Sequence, residues 1–316
     1  MTLAIITLVL LTGCSAPDDG EFPTRGVAGY VPAHYPDAQA ADWEALFASL
    51  PEYGGLFGAY AEWNDDPVDG IPRQVRTAFG IKGVTPVIAL GFEPDRLTQE
   101  AADAYLAANG DAMRAAAVAI AREYRPQYLG LGVEINRYGE KSPAGFEDFV
   151  AWYAGTYDAV REASPDTVVF PILQLEYLRG GGRLSGREHA EDWGLIDRFP
   201  GDAIGFTVYP FLDYASPADI PQDYITGIRQ RTDKTVIVTE TGWPSAPFAG
   251  IDGSEEAQAA YAAWMIDQQR ALGIPAALWL HPHDAKLPVG GGLFDTVSLK
   301  GNDGSPKPAF GTWRSE

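Results

Sequence analysis

The chain sets eight short runs rich in β-branched residues one after another, and a helical pattern follows each of the first seven. The runs are GVAGYVPAHY (26–35), GGLFGAYAEW (54–63), GVTPVIALGF (83–92), YLGLGVEIN (128–136), TVVFPILQLE (167–176), AIGFTVYPF (203–211), KTVIVTE (234–240) and AALWLH (276–281). Parallel strands need a crossover, and a helix is its usual form. Eight such units are the number that closes a (β/α)₈ barrel. An open doubly wound sheet is the rival, but no glycine-rich phosphate loop follows the first run. Composition does not break within 26–316, so the expected fold is α/β, a single (β/α)₈ TIM barrel.

The helices between the runs are legible to different degrees. Spacing predicts one around Trp43, Leu46, Phe47 and Leu50, and an alanine-rich one over about 97–124. Phe146, Phe149, Val150, Tyr153, Tyr157 and Val160 form a stripe of period 3.6. A further helix starts at Ser254, with Glu255 and Glu256 in its first turn, and stops at Gly273.

Ahead of the barrel, MTLAIITLVLLTGCSAPDDGEF opens apolar and ends in Leu11-Thr12-Gly13-Cys14. This resembles the lipobox of bacterial lipoproteins, although no Lys or Arg precedes the apolar run. The resemblance implies a signal peptide over 1–13, acylation of Cys14, a tether over 14–25, and an extracytoplasmic, cell-envelope protein held to the membrane by lipid. An ordinary secretory signal, or a core segment with a chance cysteine, is the alternative. Cys14 is the only cysteine, which excludes a disulfide within the chain. The formal charge is −20, from 43 acids against 23 bases. Such a surface repels nucleic acid and polyanionic substrates and suits a neutral ligand.

Barrel active sites lie at the carboxyl ends of the strands, so the residues that end each run carry the chemistry. The fourth run ends in Glu134 and Asn136, the seventh in Glu240. Alternation along a strand puts Val236, Val238 and Glu240 on one face, and Gly130, Gly132, Glu134 and Asn136 on one face. Both carboxylates then point at the same mouth, with the glycines leaving room below Glu134. Two facing carboxylates are the equipment for breaking a glycosidic bond. Tyr209, on the sixth strand, is placed to donate to Glu240, and Trp279, ending the eighth, to serve as a platform for a sugar ring.

VIVTETGWPS (236–245) contains TETGWPS, which resembles the nucleophile motif of clan A glycoside hydrolases. The resemblance is strongest to family 17, the β-1,3-glucanases, and looser to family 53, the endo-β-1,4-galactanases. It implies Glu134 as acid/base, Glu240 as nucleophile, Tyr209 and Trp279 in support, and a non-proline cis peptide after Trp279. The tail GLFDTVSLKGNDGSPKPAF also resembles the clan's closing loop. Two positions depart from the clan. Val133 stands where an asparagine usually precedes the acid/base, and Glu62 and Trp63 stand at the end of the second run where many members have arginine.

The function these readings imply is retaining hydrolysis of β-linked neutral glycans, of β-glucan or galactan type, by a two-glutamate double displacement in a monomer without cofactor or metal. Asn136, Tyr209, Trp243, Trp279, His281, Glu176, Gln174 and Trp63 are the candidate substrate contacts. Glu62, Glu93 and Glu176 compete with Glu134 for the acid role, and a bridge to an arginine is the other expectation for Glu176. The imidazole of His281 can donate to sugar hydroxyls, and His34, after the first run, invites the same remark. RGGGR (179–183) reads as a rim loop. A non-catalytic glycan-binding lipoprotein on the same fold is the alternative function. A metal-assisted hydrolase on His281, His283 and Asp284 of the HPHD stretch is the third reading.

Overall fold

A computed structural model describes residues 24–92, 97–182, 189–287 and 290–315. The proposed signal peptide, nearly all of the tether, Cys14 and Glu93 lie outside these residues. Eight parallel strands close on themselves in chain order. They are β1 (Arg25–Ala28), β2 (Gly55–Glu62), β3 (Thr85–Gly91), β4 (Tyr128–Leu131), β5 (Val168–Gln174), β6 (Ala203–Val208), β7 (Thr235–Thr241) and β8 (Ala277–Leu280). The barrel expected from the sequence is therefore the fold of the chain.

Helices wrap the outside. They are α1 (Ala40–Ser49), α2 (Arg73–Gly80), α3 (Gln99–Tyr124), α4 (Ile135–Lys141), α5 (Pro143–Ala163), α6 (Leu175–Leu178), α7 (Glu255–Leu272) and α8 (Pro308–Arg314). Local chemistry sets several of their ends. Thr98, Ser142 and Ser254 accept from the third amide of α3, α5 and α7, and Gly273 closes α7 in the left-handed conformation. The expectation of a helix after each strand fails between β6 and β7. There the chain makes three short 3₁₀ turns, at Pro210–Leu212, Pro217–Asp219 and Thr226–Gln230. Prolines at 210, 217 and 221 remove amide donors and forbid a sustained α-helix.

The core has two layers. The barrel interior holds Leu56, Val87, Tyr128, Phe170, Ile172, Ile237 and Leu278. The larger layer lies between strands and helices and includes Phe149, Tyr153, Val236, Val238, Tyr261, Trp279 and Trp313. Each fully buried Leu, Ile or Phe contributes roughly 1.5–3 kcal/mol. Gly130 and Gly205 are needed here, because a Cβ at either would lie 2.6–2.7 Å from Ile172 or Phe170. The space that Gly130 leaves is thus filled by β5 side chains and is not open room below Glu134.

The tail runs back along β8 and α7. Gln258 donates to the carbonyls of Trp243 and Val297 at 2.8 and 2.9 Å, tying the Gly-Trp-Pro turn to the tail. At the opposite end of the barrel from the strand ends, Trp313 donates to Gly26 O at 2.9 Å and Arg25 donates to Ser315 O. Among the described residues no helix is long and apolar enough to cross a membrane.

Candidate active site

Glu240 reaches the mouth by an irregularity in β7. Ile237 faces the barrel interior, while Val236 and Val238 face the helices. Regular alternation would turn Glu240 outward with those valines. The register against β6 slips instead: Val238 pairs with Phe206 and Glu240 with Thr207, which leaves Thr239 as the extra residue of a bulge. That single residue turns Glu240 inward. Tyr209 then donates to Glu240 Oε2 at 2.7 Å. Burial pushes the Glu240 carboxyl up to about 7, the Tyr209 hydrogen bond opposes this, and the charge of Glu134 adds to it.

Glu134 arrives by a different route. β4 stops at Leu131 rather than running on to Asn136, and α4 begins at Ile135. Glu134 is the N-cap residue of α4, at φ 49° in the left-handed region, where side chains with a Cβ are strained. Three donors hold its carboxylate. Thr207 and Gln174 donate to Oε1 at 2.9 and 3.1 Å, and Arg137 pairs with Oε2 at 3.1 Å. Thr207 therefore touches one glutamate and is the register partner of the other, which brings both carboxyls to one spot.

The remaining candidates divide. Gln174 lies in the site, on Glu134. Asn136 does not share a strand face with Glu134: it sits in α4, buried, and its amide clamps the Gln174 backbone through two 2.9 Å bonds. Glu176 lies in α6, beyond the end of β5, and is buried. It accepts from the Tyr209 amide at 2.8 Å and the Tyr224 hydroxyl at 3.0 Å, so neither an arginine bridge nor an outward-facing sugar contact describes it. Burial, the larger cause, and the Asp213 charge push its carboxyl up to about 8.

Trp279 and Trp243 are fully buried and cannot stack on a sugar. Leu278 faces the barrel interior, so alternation sends Trp279 outward to Tyr261 and Trp313, where it donates to Val297 O at 2.7 Å. The peptide after Trp279 is trans, the cis bond among the described residues being Tyr35–Pro36. Trp243 packs between Phe211 and Tyr261. Trp63 ends the second run with its ring partly exposed and its N–H donating to Tyr105 at 2.8 Å.

His281 sits at the end of β8 at φ 61°, and Gly29 makes room for its ring, since a Cβ there would lie 2.6 Å from Nδ1. Burial lowers its imidazole to about 4, so the ring is neutral at pH 7. The metal reading is overturned. His283 Nδ1 is 3.0 Å from Val31 O and Asp284 pairs with Lys307 at 2.7 Å, and no metal-holding cluster occurs among the described residues. His34, on the β1–α1 connection, pairs with Asp42 in the first turn of α1. Of the residues that sequence reasoning missed, Thr207 had a signal, for it precedes Tyr209 by two in the sixth run, where alternation would put the two on one face. Arg137 and the Thr239 bulge had none.

No protein-family model matches the chain, and no curated protein matches its sequence. Solved structures do match. One is a family 39 glycoside hydrolase from Bacteroides cellulosilyticus WH2, at 21% identity and TM-score 0.59, with 94% of this chain and 64% of that one covered. A second is an exo-β-1,4-mannosidase from Opitutaceae bacterium strain TAV5, at 16% and 0.64, with 93% and 58% covered. A third is the GH53 catalytic domain of Ignisphaera aggregans, at 16% and 0.60, with 92% and 95% covered. The chain thus spans less than two thirds of the first two and nearly all of the third. At these identities the likeness is one of fold, and the chain shares its barrel with these glycoside hydrolases.

Proposed function

We propose that this protein is a retaining glycoside hydrolase acting on β-linked neutral glycans. The observation that carries the reading is the pair of glutamates meeting at Thr207 on the mouth of the barrel. In the first step Glu240 attacks the anomeric carbon, the bond to the leaving oxygen breaks, and Glu134 gives that oxygen its proton. In the second, Glu134 takes a proton from water, whose oxygen replaces Glu240 at carbon. Tyr209 supports the ionised form of Glu240 by donating to it. Val133 packs against the barrel interior beside Glu134, so no side-chain amide stands there to hold a sugar hydroxyl. The acylated Cys14 and envelope location belong to the same proposal and rest on residues 11–14.

One observation favours exchanged roles. Arg137 and two further donors surround Glu134, a setting that suits the ionised partner, while Glu240 is the drier group. Arg137 is substantially exposed, and under the first assignment it releases Glu134 when substrate arrives.

The test is reducing-sugar release by residues 22–316 from β-1,3-glucan, β-1,4-glucan, galactan and mannan, beside Glu240→Gln. The first-formed anomer is read by proton NMR, and a 2-fluoro glycoside traps the nucleophile for peptide mapping. Release by the wild type alone, with retention and a label on Glu240, is the expected result. A label on Glu134 exchanges the roles, and release by both proteins removes Glu240 from the chemistry. Silence from a folded wild type that still binds glycan leaves a binding protein.

A further inference from the structure

Tyr209 lies just past the end of β6 and leads into the Pro210–Leu212 turn with φ −133° and ψ 71°. Its amide has left the sheet, and no neighbouring strand takes it. Glu176 Oε1 does, at 2.8 Å, and the same oxygen accepts from Tyr224. The opposite end of Tyr209 is the hydroxyl on Glu240. Building on the two-glutamate reading, we propose that Glu176 is a positioning residue, which fixes the Tyr209 backbone so that the hydroxyl meets Glu240, and which acts on the chemistry only through Tyr209.

The surroundings fit an acceptor and not a charge carrier. Glu176 Oε2 is buried without a hydrogen-bond partner among the described residues. Among the described residues the groups facing the carboxyl are Tyr209, Tyr224, Tyr261 and Asp213, and none of these is a cation. The Arg179 guanidinium lies on the Tyr224 ring, 4.3 Å from its centroid. Phe211 and Phe294 pack on the Tyr209 ring at 5.5 and 5.1 Å. They confine the ring laterally but leave its height above Glu240 to the backbone bond.

Titration of the Glu240 carboxyl by carbon-13 NMR, its signal assigned by loss in Glu240→Gln, tests this in the full chain. Tyr209→Phe removes a donor to the ionised form and moves the midpoint up, by about one unit. Glu176→Met, which keeps volume and deletes the acceptor, is expected to give the same shift, and the double variant no more than either. Glu176→Gln retains an acceptor oxygen and is expected to titrate as wild type. Should Glu176→Met not fold, Glu176→Asp, which withdraws the acceptor by one methylene, is read in its place. A wild-type midpoint in the Met or Asp variant, or additive shifts in the double variant, overturns the proposal. Turnover is measured in parallel. An inactive wild type with the expected titrations sinks the glycosidase reading and leaves the positioning role standing.

Discussion

The ends of β4 and β7 each deliver one glutamate to the same mouth, by opposite means. Glu134 has left its strand and caps a helix at a strained backbone angle, partly open to solvent and held by three donors. Glu240 stays inside its strand, turned inward by one extra residue and holding one donor among the described residues. Identical side chains thereby acquire different surroundings, three donors on one and burial behind a single tyrosine on the other, with no change of residue type. That asymmetry is what a two-carboxylate mechanism requires.

The sharpest way to break the comparison is to remove each carboxylate in turn. Glu240→Gln is expected to lower turnover by more than about 10⁴, since the covalent step has no substitute. Glu134→Gln is expected to cost about 10²–10⁴ on glycans and far less on aryl glycosides whose leaving group needs no proton. Equal losses on both substrates would undo the division of labour. Deleting Thr239 attacks the other side of the comparison. Without the extra residue Glu240 follows Val238 directly, so regular alternation keeps it inward and opposite Thr207, and the variant should fold and retain turnover. Loss of all activity in a folded variant would mean that the bulge does more than set the face of the carboxylate.

Arg137→Met separates the two role assignments. If Glu134 is the acid, freeing it should raise kcat/KM several-fold on substrates with poor leaving groups. A several-fold fall would support the exchanged roles.

Stability against pH reads the buried acids directly. Glu176 and Glu240 have folded-state values near 8 and 7 against an ordinary 4.5, so the folded protein binds more protons than the unfolded chain between about pH 4.5 and 8. Stability from these groups is fully present below that window and declines through it as pH rises, by up to about 1.4 kcal/mol per pH unit for each group. Melting temperature should therefore drop from pH 5 to pH 8, and Glu176→Gln should flatten the drop. The smallest effect concerns Trp279→Phe. It should cost about 1–3 kcal/mol through lost packing and the lost bond to Val297, with KM unchanged. A raised KM would restore the sugar platform.

These residues also show what a sequence can carry. The β-branched runs and their spacing define the barrel, because burial on both faces of a parallel strand demands continuous apolar stretches. Where a run ends is less legible. GVEIN reads as strand, yet the left-handed turn at Gly132 and Glu134 ends β4 at Leu131. Facing is subtler still. Alternation from Val236 and Val238 reached the right conclusion for Glu240 by the wrong face, since the bulge that corrects the parity leaves no mark in composition. Trp279 shows the opposite failure. Its neighbour Leu278 occupies the inward position, and nothing local distinguishes which of two adjacent apolar residues does so. Asn136 and Glu176 were visible as polar residues near strand ends, but their use for backbone carbonyls and amides is a matter of three-dimensional proximity.

The seam where Trp313 bonds Gly26 and Arg25 bonds Ser315 brings the first and last described segments together on the face opposite the mouth. A handle attached at either segment therefore pulls from the same side. Immobilised through both, the barrel would stand on a bead with the rim that carries the two glutamates outward, and a single fusion partner at either position would leave the entrance to them clear.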